Sequence, residues 1–266
     1  GLARALLPLL WSASRPTQAK ASRVAAARWA GDLLKAIDLS SACHLLCFLA
    51  GDSDVTAASI AREGLGLDQK IGEGYESIGT SEEDDSLPDF GELTTVVFSQ
   101  SSLGSSRPTF FDFSYNGKAA ALRFGLICLF SDIYGGEDSA VASYVNSIST
   151  TLCAFRDRQI HGRDSVDLLD ECAICLAGCL SNSQFARNMV ARGQTPLTLK
   201  DMEHLAIESS SSKARRYLAE ACGHIYEDSA LWISGSNDQI KLGEWILKSG
   251  IYRAIKLCES RLTGLH

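Results

Sequence analysis

The stretch of this sequence best suited to chemistry is Cys172-Ala-Ile-Cys175-Leu-Ala-Gly-Cys179, which contains a CxxC spacing. Two thiolates at that spacing can converge on one zinc ion or form a redox-active pair. A structural zinc site needs four converging thiolates or imidazoles, usually from two ligand pairs, and the chain has no second CxxC and no HxxxH. A thioredoxin-like pair would need a βαβ context, which is also missing. The three sulfurs instead stand among Leu168, Leu169, Ile174, Leu176 and Leu180 at helical spacing. They are read as core packing, and no metal and no other cofactor is expected.

The five histidines, His44, His161, His204, His224 and His266, are scattered. His44 follows Cys43 directly, and neighbours in sequence point in different directions on a helix, so adjacency makes no Cys–His dyad. The sequence has no GxxxxGK[ST], no HExxH, no GxSxG and no GxGxxG after a strand. Gly64-Leu-Gly66 and Gly72-Glu-Gly74 lie in acidic surroundings that would repel phosphate. Lys213-Ala-Arg215-Arg216-Tyr217 is the densest basic cluster, but three cations on a helix are common on a solvated face. No catalytic residue is assigned, and the chain is read as a non-enzyme that does not bind nucleic acid. The competing reading is a metalloprotein or enzyme using Cys172, Cys175 and Cys179.

The elements that carry these residues are helical almost throughout. Val24, Ala27, Trp29, Ala30, Leu33, Leu34 and Ile37 recur near one face at steps of three and four. Similar patterns predict helices at about 40–50, 54–64, 90–101, 117–134, 138–156, 164–181, 183–192, 198–209, 212–226, 237–248 and 250–261. Asp54 and Ser183 stand where a side-chain oxygen can cap a helix start. Gly135-Gly136 and Gly193 suit left-handed helix ends. Thr94-Thr-Val-Val-Phe98 is the best strand candidate, but Phe90, Leu93 and Val97 favour a helix there.

Two intervals break the pattern. Residues 65–89 carry eight acids, Asp68, Glu73, Glu76, Glu82, Glu83, Asp84, Asp85 and Asp89, against the single base Lys70. Such a segment buries too little apolar area to offset its ordering entropy and reads as an extended loop. A second polar break runs from Ser99 to Pro108.

The 266 residues are 45% hydrophobic and 21% charged, enough to bury a core, with 25 Lys and Arg against 32 Asp and Glu. The net charge of −7 argues against a polyanion partner for the chain as a whole. No apolar run approaches the ~20 residues of a bilayer span, so no membrane insertion is expected. The nine cysteines are odd in number and sit in apolar surroundings such as Cys43-His-Leu-Leu-Cys47 and Leu126-Ile-Cys128-Leu. Free buried thiols point to a reducing compartment, hence a cytoplasmic and nuclear location. The opening Gly1-Leu-Ala-Arg-Ala-Leu-Leu-Pro mimics a targeting segment, and residues 1–31 hold Arg4, Arg15, Lys20, Arg23 and Arg28 with no acid. Because helical spacing already begins at Arg23 and the chain lacks an initiator Met, an excised fragment is the preferred reading.

Three helices share a spacing of basic, small and glycine residues: Arg23, Ala27, Gly31; Arg215, Ala219, Gly223; and, as a weaker match, Ala57, Ala61, Gly64. Steps of four keep one face, and small residues there let a neighbouring helix approach closely. Such seams are expected in HEAT or armadillo arrays with repeats of ~40 residues. The fold class expected is therefore all-α, an α-solenoid of HEAT/armadillo-like antiparallel helix pairs, with an irregular helical bundle as the alternative. Its organisation reads as HEAT-like helices over 1–64, the acidic Gly- and Ser-containing loop 65–89, and helices of the same solenoid over 90–266.

The segments Arg23-Val-Ala-Ala-Ala-Arg28-Trp29-Ala30, Cys43-His-Leu-Leu-Cys-Phe-Leu-Ala-Gly51-Asp52 and Ala61-Arg62-Glu63-Gly64-Leu65 occur in that order. This order resembles the large HEAT-repeat proteasome adapter and scaffold family, best over residues 20–66 and extending to Leu87-Pro-Asp-Phe90. The acidic interval 70–86 departs from that family's compact pattern. The resemblance implies a section of a longer curved scaffold without catalytic residues. Such a scaffold would associate with 26S proteasome subunits and other proteins, and influence proteasome assembly, stability or localisation. Another HEAT-repeat scaffold, of the transport-receptor or phosphatase-scaffold type, is the alternative among binding proteins.

Overall fold

Helix starts and stops in this chain are set by local hydrogen bonding that can be followed residue by residue. The computed structural model describes residues 2–37, 40–67, 75, 87–98, 107–131, 136–162 and 165–232. Among these lie eleven α-helices and no strand: α1 (Leu2–Ala13), α2 (Lys20–Ile37), α3 (Ser40–Leu49), α4 (Val55–Gly64), α5 (Phe90–Val97), α6 (Tyr115–Ser131), α7 (Asp138–Arg156), α8 (Val166–Asn182), α9 (Gln184–Ala191), α10 (Leu199–Glu208) and α11 (Ser212–Trp232). A 3-10 turn, Phe110–Asp112, precedes α6. The protein is thus all-α over the described residues. The helices expected at 237–248 and 250–261 lie outside them, as do most of the acidic interval and residues 99–106 of the second polar break.

The caps expected at Asp54, Ser183 and Gly193 are present. Asp54 accepts from the Thr56 and Ala57 amides, and Ser183 accepts from the Ala186 amide, which satisfies donors that a helix start leaves unpaired. Gly193 adopts φ 65° after α9, where Gln194 N–H donates to the Met189 carbonyl at 2.9 Å and Gly193 N–H to Val190 at 3.1 Å. That pair of bonds is the Schellman ending, which needs a left-handed residue. Gly136 is also left-handed, at φ 73°, while Gly135 lies outside the described residues.

The end of α7 repeats the Schellman pattern with Arg158 at φ 57°: Gln159 N–H donates to Ala154 at 2.8 Å and Arg158 N–H to Phe155 at 3.0 Å. A side chain there carries the cost of a Cβ in the left-handed region. Arg158→Gly is therefore expected to raise stability by about 1 kcal/mol, read as a higher urea midpoint at unchanged slope.

The segment Thr94–Phe98 is helical up to Val97, because α5 buries Phe90, Leu93 and Val97 on one face and Asp89 caps its start. The helix stops short of residue 101, with Phe98 as its C-cap. The helical spacing followed residue by residue begins near Arg23, and Leu2–Ala13 forms a further helix, α1, around an internal Pro8. Its stabilisation is tertiary, since Leu7 and Trp11, one turn apart, are both buried.

The chain divides into two compact units, Gly1–Tyr144 and Val145–His266, with the boundary inside α7. In the first, α3 is the central helix: Ala42, Cys43, Leu45, Leu46, Cys47 and Leu49 are fully buried. It packs against α1, α2, α4, α5 and α6. Near the end of this unit Tyr144 is buried against Phe90 and Phe98, edge to face, and its hydroxyl donates to the Leu122 carbonyl.

α2 and α4 are joined at their N-terminal ends by Lys20–Asp54 and Arg23–Asp52 ion pairs, each 2.8 Å. Toward their C-terminal ends Gly31 and Gly64 meet so closely that a Cβ on Gly64 would lie 3.4 Å from the Gly31 Cα. The two helices therefore run side by side in the same direction, with α3 between them in sequence. Ala27, Ala57 and Ala61 are fully buried, as small residues of such a seam must be.

In the second unit α8 packs on α11 and α9, and α11 also packs on α9 and α10. The Ser211 hydroxyl, which caps α11 by accepting from the Ala214 amide, donates to Asp170 in the first turns of α8. The glycine position of α11, Gly223, stands differently from Gly31: among the described residues, a Cβ there would meet no atom within 4 Å.

Candidate interaction surface

Among the described residues, none of the chemistry-bearing side chains gathers into a reaction centre. Cys172, Cys175 and Cys179 are fully buried on α8, and burial pushes the Cys179 thiol up to about 12. A thiol held neutral in this way is a poor metal ligand or nucleophile. Among the described residues no group of three or more His, Cys, Asp and Glu side chains could hold a metal ion. His161 is exposed, His204 lies 3.2 Å from Glu208 one turn away on α10, and His224 lies 4.0 Å from Glu220 on α11. His266 lies outside the described residues. His44 is buried, with Nε2 2.8 Å from the Pro108 carbonyl oxygen.

Two cations of the α11 basic cluster are engaged close to their own helix. Tyr217 is buried, the Arg216 guanidinium lies over its ring at 5.1 Å, and Arg215 donates to the Ser209 carbonyl at 3.1 Å, closing the end of α10. Arg156 of α7 likewise bridges Asp157 and Asp201, at 2.8 and 3.0 Å. Burial pushes the Asp201 carboxyl up, but hydrogen bonds from Thr198 and Arg156 outweigh it and hold the group below its ordinary range. No helix among the described residues is long and apolar enough to cross a membrane.

What the first unit does present is the outer face of α2. Its inner face is set by Ala26, Ala27, Ala30, Leu33 and Leu34, all buried. The ion pairs at its start fix its position against α4: Arg23 and Asp52 are 11% and 7% exposed, and Arg23 also donates to the Gln18 carbonyl at 2.6 Å. The Lys20 ammonium, hydrogen-bonded to Asp54, holds that carboxyl below the usual range. On the opposite side Ala25, Arg28, Trp29, Asp32 and Lys35 are exposed.

Trp29 is the finding here. Spacing alone counts it with the apolar face, but the indole is 59% exposed. At about 100° per residue it sits about 110° from the centre of the buried face, at the edge of the stripe, where only the neighbouring elements decide coverage. A large exposed indole beside charged residues of both signs is the type of side chain that dominates protein–protein interfaces. A surface of that composition can bind another protein.

The sequence profiles of known protein families do not match this chain, and no curated protein matches it. A crystal structure described as that of an engineered protein aligns with 98% of this chain and 97% of its own, at 14% identity and a TM-score of 0.40. Similarity of that degree does not define a shared fold.

Proposed function

We propose that this chain is a section of a HEAT-like solenoid that acts as a non-enzymatic adapter or scaffold for the 26S proteasome, influencing its assembly, stability or localisation in the cytoplasm and nucleus. The observation that carries the reading is the arrangement of α1 to α4. α1 packs on α2 and α3 on α4, while α1 also meets α3 and α2 meets α4. Successive helix pairs in register, with α2 and α4 parallel across a seam of Ala27, Gly31, Ala57, Ala61 and Gly64, are what stacked repeats require. Stacking of this kind leaves long outer helix faces that bind through many modest contacts, and the α2 face with Trp29 is of that type. The order of motifs over residues 20–66 adds the family-specific part of the proposal.

Tagged full-length protein recovered under gentle, low-salt lysis is expected to bring down assembled proteasome particles. Trp29→Ala is expected to lower that recovery with no change in thermal midpoint, because the indole is solvent-facing. Absence of proteasome subunits from the wild-type eluate, or recovery of a transport or phosphatase complex instead, would overturn the reading.

A further inference from the structure

The segment leading into α6 is held against α3 by one titratable side chain. A carbonyl only accepts, so the 2.8 Å contact between His44 Nε2 and the Pro108 oxygen places the imidazole hydrogen on Nε2 and leaves Nδ1 with its lone pair. Nδ1 is buried and has no hydrogen-bond partner among the described residues, and the same holds for the indole Nε1–H of Trp11 on α1. The imidazole is enclosed by rings, with the Trp11 centroid at 4.9 Å and the Phe113 centroid at 5.7 Å. Both of those rings also pack on Phe48 of α3, and Arg107 lies 5.9 Å over Trp11. α1, α3 and residues 107–113 thus meet at His44.

We propose that His44 is a proton-operated latch: neutral, it ties α1 and the segment Arg107–Phe113 to α3, and its protonation releases that junction while the α2–α4 seam stays closed. A proton can enter only at Nδ1, where no acceptor among the described residues faces it, and it creates a cation inside an aromatic enclosure. Arg107, whose charge is felt at the ring, has the same sign. Among the described residues, the carboxylates of the neighbouring elements are committed elsewhere or exposed. Asp112 accepts from the Thr109 amide and hydroxyl, both at 2.8 Å, and Glu92 of α5 accepts from Ser40 at 3.0 Å. Asp52 is paired with Arg23 of α2, and Glu63 of α4 is exposed. From α6, Lys118 lies 6.0 Å over Phe110. On α3 itself Cys43 and Cys47 are buried, and burial pushes the Cys47 thiol up to about 12, so it stays neutral.

Burial, opposed by the Pro108 hydrogen bond and reinforced by Arg107, lowers His44 from 6.5 to about 4. Opening returns the ring to water and to its ordinary value. Closure is therefore fully favoured above pH 6.5, weakens as pH falls from 6.5 toward 4, and changes no further below that. Between pH 7 and pH 5 the open population grows about 20-fold by this linkage.

The test is hydrogen exchange on the full chain at pH 7 and pH 5, corrected for the chemical exchange rate. Residues 5–13 and 107–114 are expected to lose protection about 20-fold at pH 5, with residues 57–64 of α4 unchanged. His44→Gln keeps an amide donor for Pro108 but cannot titrate in this range, and the loss should shrink to less than about twofold. His44→Phe keeps the ring packing and serves the same purpose if the glutamine variant fails to fold. Protection that does not respond to pH in the wild type, an equal response in the variants, or simultaneous opening of α4 would each overturn the latch.

Discussion

Asp52→Ala is expected to destabilise the protein by about 3 to 5 kcal/mol, the cost typical of removing one partner from a buried ion pair. The Arg23 Nε and Asp52 Oδ2 atoms are 2.8 Å apart, and neither side chain is more than 11% exposed. Removing the carboxylate leaves a largely enclosed guanidinium without its counter-charge. Its bonds to the Gln18 carbonyl at 2.6 Å and the Pro16 carbonyl at 3.4 Å still hold part of it, so the effect should fall toward the lower end of that range. Asp52 also accepts from the Asp54 amide at 2.7 Å, a bond that organises the turn into α4 and is lost with it. The diagnostic comparison is Arg23→Met combined with Asp52→Asn. The asparagine retains an acceptor for the turn, and with the cation gone the double variant should recover most of the loss. A urea titration of the four proteins in the cycle measures the coupling. A loss below about 1 kcal/mol for Asp52→Ala would mean that the pair behaves as a solvated surface contact and contributes little to joining α2 and α4.

The second large effect lies one residue earlier. A Cβ on Gly51 would stand 1.9 Å from Ser114 Oγ, 2.7 Å from the Gly117 nitrogen and 3.1 Å from the Gly117 Cα. Ser114 could rotate away, though only by giving up the bond it donates to the Gly51 carbonyl at 3.0 Å. The Gly117 backbone, in the first turn of α6, cannot move without shifting the helix against α3. Gly51→Ala is therefore expected to cost about 3 kcal/mol, at the upper end of ordinary overpacking, and to lower the thermal midpoint accordingly. An unchanged midpoint would show that α3 and α6 do not approach this closely. Together, Gly51 and Asp52 explain a small residue followed by an acid at this turn: one admits α6, the other anchors α2.

Features whose cause is local were legible in the sequence. Asp54, Ser183 and Gly193 were identifiable as caps because the groups they satisfy lie within a few residues along the chain. The cysteines of α8 were legible as core because their apolar neighbours share their helical face. α1 was hidden because its helix contains Pro8 and depends on burying Leu7 and Trp11, which a short segment does not announce.

What the sequence by itself determined is helical character, the ends of several helices, and the small-residue stripes on α2 and α4. These follow from backbone hydrogen bonding and from apolar periodicity, both short-ranged. Only the tertiary structure decided that Arg23 meets Asp52, that Gly31 lies against Gly64, that His44 is enclosed beneath Trp11, and that Trp29 faces solvent. The physical reason is that periodicity fixes the direction of a side chain relative to its own helix axis. Burial, charge pairing and protonation depend on which other helix stands in that direction, and that is set by contacts between residues far apart in the chain.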